Sequence, residues 1–339
     1  MKITFLSRMF HPHIGGVETH IYKLSKILIK RGHKITVITE QHDKSLFEEE
    51  IFEGIHIHRI PTFNHSEKDK KFYIWQYLFR NRKLLTSPDI VHVHDVFFWV
   101  VPLKLILVKP VFTTFHGWEG EFPPKKSAIH QKQLAITLSS STIAVGDFIS
   151  NWYQIRPNFV TYGATDKKPV AMPKTPHIIV YGRLSQDNDS NIVINGLKKV
   201  KKESKVKITF LGDGEYKTKA EKLGSVTGYK KNVLPILKKS THVITSSYLS
   251  ILDAMIVGRP VCSVYSNLLK QDYLRLHPRS DCIRITNDSN ELALSLLSSI
   301  KKSKIDDESV KKAQKWAQKQ TWESIADLYE KIWEKAHHS

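Results

Sequence analysis

The chain opens on a strand, a glycine loop, a helix and a second strand, and that unit limits the possible folds more than any other feature. "KITFLS" is made of β-forming residues, and "HPHIGG" follows as a turn. In "VETHIYKLSKILIKRGH", Val17, Ile21, Leu24 and Leu28 recur at helical spacing, with charges on the other face. Gly32 stops the helix as a C-terminal glycine does, and "KITVITE" reads as the next strand. Such a unit implies a right-handed crossover between parallel strands. "EGIHIHRIP", "PDIVHVHD", "PVFTTFHG" and "STIAVGD" continue as short apolar strands separated by polar or glycine-bearing loops. The class is α/β with a mostly parallel sheet.

The pattern then starts again. A length of 339 residues favours two domains. "IRPNFVTYGATDKKPVAMPKTPH" carries Pro157, Pro169, Pro173 and Pro176 in a polar span and reads as a linker. Beyond it, "HIIVYGRL" is a strand, "NIVINGLKKVKKE" a helix and "VKITFLGDGE" a strand. "THVITSSYLSILDAMIVGRPV" reads as a buried strand, a turn and a helix ending at Gly258. The expected plan is two doubly wound domains with a cleft between them. Residues 1–165 form the first and 166–315 the second, and a helical segment 316–339 packs back on the first.

Charge narrows the partners. Lys and Arg number 52 against 33 Asp and Glu, and the excess is spread over both halves. That favours a phosphorylated substrate or an anionic lipid surface. No zinc-finger, RNA-binding or basic-zipper pattern accompanies it, so nucleic acid is not expected as a partner. Two cysteines suit a reducing compartment and give no disulfide framework. The opening apolar run is only "ITFL", too short for a signal peptide. The most apolar window, "VFFWVVPLKLILV", has 13 residues, whereas a spanning helix needs roughly 20. The expected location is cytoplasmic, with peripheral attachment to the inner face of a membrane left open. In "DKKFYIWQYLFRNRK", Phe72, Trp75 and Phe79 share a helical face; it suits either an anionic membrane surface or core packing, and core packing is the expectation. Glu48, Glu49 and Glu50 read as a solvated loop.

Some residues sit where chemistry is done. Gly15 and Gly16 lie between the first strand and first helix, where a glycine backbone and a helix N-terminus suit a diphosphate, or simply make a tight turn. The absence of G-x-G-x-x-G counts against a nicotinamide oxidoreductase. His116 ends the strand "VFTTF", on the edge where open α/β sheets bind ligands. There it can donate a hydrogen bond to a substrate hydroxyl or a developing charge. His94 and Asp95 end "DIVHV" and read as satisfied polar residues. No carboxylate spacing around His11, His13, His92 or His94 supports a metal site. Arg183, in "YGRLSQDNDSN", offers a forked phosphate contact. Gly212 and Gly214 in "LGDGE" read as a turn.

Taken together, these segments resemble the GT-B glycosyltransferases, specifically glycosyltransferase family 4. "HIGGVETHIYKLSKILIKRGHKITVIT" looks like the family's opening glycine loop and helix. "EGIHIHRIP", "PDIVHVHD", "TTFHG", "IVYGRL", "FLGDGE", "LDAMIVGRPV" and "TWESIADLYEKIW" follow in the family's order. The resemblance implies two Rossmann-like domains and a UDP- or GDP-type nucleotide sugar held chiefly by the second. It implies transfer to a glycan or lipid-linked acceptor with retention of configuration, with no cofactor and no essential metal. Gly15 and Gly16 would meet the donor diphosphate, Arg183 would grip it, and His116 would lie beside the sugar. Asp253 would stand for the family's second ribose-holding glutamate.

Two departures from the family touch this donor site. The family's first glutamate, eight positions before Asp253, is replaced by Thr245, and no acid lies anywhere from Tyr229 to Leu252. Asn188 stands where the family usually has a lysine. Lys-rich neighbours, backbone N–H groups around Ser247 and Ser250, or the carboxylate of Glu119 are the candidate substitutes. The alternative readings are a nucleotide- or glycan-binding partner subunit without catalysis and, lower, an epimerase of the same fold.

Overall fold

The computed structural model describes residues 1–117, 119–301 and 307–337, so the expected C-terminal segment runs two residues beyond those described. The chain divides into two compact units. One is Met1–Thr161 with Trp322–Ser339; the other is Tyr162–Thr321.

The first unit is an eight-stranded sheet. Its strands are β1 (Lys2–Ser7), β2 (Lys34–Glu40), β3 (Glu49–Phe52), β4 (Ile55–Ile60), β5 (Ile90–His94), β6 (Val111–Phe115), β7 (Ser141–Val145) and β8 (Phe159–Thr161). They run in the order β3-β4-β2-β1-β5-β6-β7-β8. All neighbours are parallel except β3, which is antiparallel to β4. β1, β5 and β6 are Ile-, Val- and Phe-rich and buried almost throughout, as a parallel sheet covered on both faces requires. Helix α1 (Gly16–Lys30) follows β1 and buries Ile21, Leu24 and Leu28, the stripe its periodicity predicts.

Two expectations change at this point. Glu49 and Glu50 lie in β3 rather than in a loop, although Glu48 and Glu49 are exposed to solvent as expected. Glu50 meets the fully buried guanidinium of Arg59 at 2.7 Å, and Glu49 meets His58 at 3.2 Å. A buried arginine needs a carboxylate, and the glutamate run supplies one. Helix α2 (Lys70–Arg80) buries only Ile74 and Leu78, and leaves Phe72 and Phe79 exposed instead of in the core.

The last helix, Trp322–His337, belongs to the first unit. It lies against α1, where Arg31 pairs with Asp327 at 2.8 Å and His33 with Glu330 at 2.8 Å. Its Tyr329 and Trp333 are fully buried; Tyr329 stacks on His92 and Trp333 meets the same ring edge-on.

The second unit is a wholly parallel six-stranded sheet. Its strands are β9 (His177–Tyr181), β10 (Lys207–Leu211), β11 (Ser225–Val226), β12 (His242–Ile244), β13 (Val261–Val264) and β14 (Ile283–Thr286), in the order β11-β10-β9-β12-β13-β14. Leu197, Phe210, Ile178, Ile244 and Leu296 lie at its core. The linker is fastened to this unit: fully buried Arg259 donates to the carbonyls of Val170 at 3.2 Å, Ala171 at 2.9 Å and Val257 at 2.7 Å. Gly212 reads as the expected turn. A Cβ there would lie 1.9 Å from the Gly182 carbonyl oxygen, so the loops after β9 and β10 meet backbone to backbone. No helix among the described residues is long and apolar enough to cross a membrane.

Trp333→Ala would open a large cavity against His92 and Phe5. A loss of about 3–5 kcal/mol is expected, read as a lower urea midpoint. An unchanged midpoint would show that the last helix does not brace this sheet.

Candidate functional site

A doubly wound sheet binds ligands beyond the carboxyl ends of its strands, where the strand order reverses. In the first unit that point lies between β1 and β5. The loop after β1 ends in Gly15 and α1 begins at Gly16, β5 ends in His94 with Asp95 next, and β6 leads into His116. The topology thus gathers at one edge residues that lie up to a hundred positions apart.

Gly15 and Gly16 differ in their surroundings. A Cβ on Gly15 would lie 2.3 Å from Glu18 Oε2, whereas nothing lies within 4 Å of one on Gly16. The Glu18 carboxylate folds over the N-terminus of α1, where a negative charge is favoured, and meets His13 Nδ1 at 3.0 Å. The approach to the loop is therefore open at Gly16 and filled at Gly15.

Behind the loop is a chain of histidines. His94 Nδ1 lies 2.8 Å from His116 Nε2. His92 Nε2 lies 2.8 Å from Thr114 Oγ1, and His92 Nδ1 accepts from Trp333 Nε1 at 3.1 Å. The Tyr329 hydroxyl joins Thr114 at 2.7 Å and His20 Nε2 at 3.1 Å. The ring of His20 stands edge-on to His116 at 4.8 Å. Burial lowers the pKa of His20, His92 and His94, and the neighbouring His116 lowers each further. Desolvation, with Lys132 as the second cause, brings His116 down to about 3. These imidazoles are neutral at pH 7. With Nε2 of His116 facing His94, its Nδ1 is the ring nitrogen left for a ligand. If His94 donates, His116 carries its proton on Nδ1 and can donate it outward.

The third layer is ionic. Asp95 has a left-handed backbone, φ 63°, uncommon for a non-glycine residue, and its Oδ1 accepts the His116 N–H at 3.0 Å. Buried Lys132 lies 3.8 Å from Asp95 and 2.8 Å from Glu119. Glu119 also accepts from the Tyr153 hydroxyl at 2.5 Å. His94 and Asp95 are hydrogen-bonded at their strand end, as expected, and both bonds go to His116; buried His94 Nε2 has no hydrogen-bond partner among the described residues. Glu119, the candidate substitute acid, is held by Lys132 and Tyr153. Among the described residues no group of three or more His, Cys, Asp or Glu is arranged to hold a metal ion.

In the second unit the strand order reverses between β9 and β12. Arg183 follows β9 with its side chain 63% exposed and pairs with Asp187 at 2.7 Å. Asn188 turns inward and donates to the Arg183 carbonyl at 2.9 Å, so it shapes the loop instead of facing outward beside the arginine. After β12, Ser247 stands at the N-cap position of the helix Tyr248–Ile256, without a side-chain capping hydrogen bond. Ser250 bonds to Ser247 at 2.6 Å and to Thr245, so linked hydroxyls stand where the resemblance places an acid. Asp253 is buried; Oδ1 accepts from Thr165 at 2.6 Å and Oδ2 from the Tyr181 hydroxyl at 3.3 Å. Burial raises its pKa, against the opposing pull of Lys167.

The first half-site thus gathers Gly15, Gly16, His94, His116 and Glu119; the second gathers Arg183 with Asn188, and Ser247 with Ser250, while Asp253 faces Thr165 and Tyr181. Sequence reasoning missed His20, Lys132 and Tyr329. His20 had one signal, its place one turn beyond Gly16 on the same helix. Lys132 and Tyr329 had none, since a lysine and a tyrosine on amphipathic helices look like surface residues.

Residues 14–155 match the family model described as Glycosyltransferase Family 4. The chain is 31% identical over 148 residues to one component of the human phosphatidylinositol N-acetylglucosaminyltransferase, a match covering 40% of this chain and 29% of that protein's length. It is 23% identical over 316 residues to an uncharacterized glycosyltransferase of Methanocaldococcus jannaschii, covering 77% of this chain and 80% of the other. Among solved structures, sucrose-phosphate synthase from Thermosynechococcus elongatus superposes with a TM-score of 0.79 at 13% identity, covering 99% of both chains. Anabaena Alr3699/HepE, solved with UDP and glucose, superposes with a TM-score of 0.69 at 14% identity, covering 98% of both.

The histidine chain predicts an acid limit to stability. The pKa values of His20, His92, His94 and His116 are lowered from 6.5, so below about pH 6.5 the unfolded state binds more protons than the native one. Stability then falls as pH falls, by up to about 1.4 kcal/mol per pH unit for each histidine. Guanidinium midpoints measured from pH 7.5 down to 5 should drop, and His92→Asn should shallow the slope. A flat profile would mean that these rings are not held neutral.

Proposed function

We propose that this chain, whose residues 14–155 belong to glycosyltransferase family 4 and whose length takes the GT-B fold, is a hexosyl-type transferase using a nucleotide-sugar donor. It transfers the sugar to a glycan or lipid-linked hydroxyl with retention of anomeric configuration. One observation carries the reading: a neutral histidine, His116, is fixed at the binding edge of the first sheet by His94, Asp95 and Lys132, next to a glycine loop open at Gly16. That arrangement suits hydrogen bonding to a hydroxyl-rich ligand and not acid catalysis by the imidazole.

In the reaction, the bond from the anomeric carbon to the leaving phosphate breaks, and a bond to the acceptor oxygen forms on the same face. The acceptor proton passes to the leaving diphosphate. Negative charge grows on that diphosphate, so groups that meet it there accelerate the step. Arg183 meets it as a forked cation after giving up Asp187. In the first unit, the N–H groups at Gly16 and the start of α1 form a helix N-terminus that suits an anionic group. His116 donates from Nδ1 to a sugar hydroxyl. Ser247 and Ser250 offer hydroxyls and the N-terminus of a nine-residue helix to the nucleotide side. Asp253 reaches a ribose by releasing Tyr181, the longer of its two hydrogen bonds. The crystal of the Anabaena protein with UDP and glucose supports a uridine nucleotide as the first to try, with GDP as the alternative. The name of the human relative, which specifies a phosphatidylinositol acceptor, supports a lipid-linked hydroxyl.

A second reading rests on the Thr245–Ser250–Ser247 hydroxyls, which replace an acid by neutral groups. It makes the chain a binding or partner subunit without turnover.

The test offers UDP-, GDP- and ADP-sugars to the full chain and follows nucleotide release. Release should occur with one donor, and Arg183→Ala and His116→Ala should each lower it about a hundredfold or more. Thermal stabilisation by a nucleotide without release from any donor would establish the second reading. Undiminished release in both variants would overturn the roles of Arg183 and His116.

A further inference from the structure

One flank of the first unit is built against the usual rule for a water-facing surface. Helix α2 points Ile74 and Leu78 inward and shows Phe72 and Phe79 outward, 68% and 59% exposed. A helix on an aqueous surface places polar residues there. Phe72 packs edge-on to Trp75, whose Nε1 donates to the Phe98 carbonyl at 2.7 Å. That bond ties α2 to the strap Phe97–Leu103, two short 3₁₀ turns in direct contact with the helix.

The strap leads into a hydrogen-bonded turn. Ile106 N and Leu107 N both donate to the Leu103 carbonyl at 2.9 Å, and Leu107 is buried as an anchor. Around that anchor Leu105 and Val108 are 97% and 98% exposed. Two aliphatic side chains standing almost wholly in water, on a pinned turn that follows the strap touching α2, mark an interaction surface.

The two segments themselves are basic. From Lys70 to Pro88 the sequence has five Lys or Arg and no acid, and from Val96 to Phe115 two lysines and no acid. Acids border this stretch: Asp69 and Asp89 flank it, exposed Glu48 lies near Tyr73 and Tyr77, and Glu67 and Glu40 pair with Lys70 at 2.7 and 3.2 Å. Lys71 lies 4.7 Å over the Trp75 ring, placing a cation at the edge of the apolar face.

We infer that this flank, formed by α2 and the Lys104–Val108 turn, docks on an anionic lipid bilayer, with Leu105, Val108, Phe72 and Phe79 entering the interface and Lys71, Arg80, Arg82 and Lys83 meeting the headgroups. Single aliphatic tips on a turn suit a fluid medium, which needs no matching groove, and the basic segments supply the complementary charge. This surface does not depend on the transfer reading.

The test is co-sedimentation of the full chain with vesicles of phosphatidylcholine alone and of phosphatidylcholine mixed with phosphatidylglycerol. Binding to the mixed vesicles is expected, and it should weaken as salt rises from about 0.1 M to about 0.5 M because screening shortens the reach of the charges. Leu105→Ser with Val108→Ser should lower vesicle binding by about tenfold or more, while the thermal shift with nucleotide stays as in the parent chain. Lys71→Glu with Arg80→Glu should lower binding to the anionic vesicles specifically. Equal binding to both vesicle types, or none, would overturn the proposal. So would a concentration-dependent dimer, seen by sedimentation velocity, that the serine variant abolishes. Loss of sugar transfer with vesicle binding intact would count against the transfer reading alone.

Discussion

A parallel sheet covered on both faces has no water for a polar side chain, yet β5 buries two histidines on one face. Everything at the binding edge of the first unit depends on how those rings are satisfied. His92 is closed by Thr114 and Trp333, so both its nitrogens have partners inside the protein. His94, two residues along the same face, passes its hydrogen bond to His116. Burial keeps both rings neutral, and a neutral pair can fix the tautomer of the next ring in the chain. The last helix is what makes this affordable, because Tyr329 and Trp333 supply the donor and the aromatic cover.

The same edge separates binding from charge. Lys132 supplies a cation behind His116, and Asp95 and Glu119 balance it at 3.8 and 2.8 Å. That cation disfavours a second positive charge on His116, so the histidine acts by hydrogen bonding. In the second unit the order is reversed. Arg183 is the exposed cation, while the carboxylate of Asp253 is turned into its own unit by Thr165 and Tyr181. A hydroxyl chain occupies the place of a second acid, which costs less to bury than an unpaired carboxylate.

Much of the fold was legible because its signals are local. The helical stripe of α1, Gly32 after it, and the strand–turn–helix ending at Gly258 depend on spacing within a few residues. The structure reproduces them, with Gly258 at φ 74°. The errors came where burial decided. Glu48 and Glu49 are exposed as expected, but Glu50 looked solvated because nothing near it in sequence reveals a buried Arg59 needing a carboxylate. The aromatic face of α2 looked like core because an apolar stripe does not say which side faces the sheet. That His94 and Asp95 would find His116 and Lys132 as partners was not legible, because those residues lie twenty to forty positions away.

The sequence by itself determined the alternation of strands and helices, the two sheets that follow from it, and which residues stand at strand ends. These are consequences of periodicity and turn chemistry that a short window contains. Only the tertiary structure decided which strand ends become neighbours, that Tyr329 closes a chain begun at His20, and that Asp253 faces Thr165 instead of solvent. Those outcomes depend on strand order and on which polar groups must find partners once water is excluded, and neither is written in any local stretch of the chain.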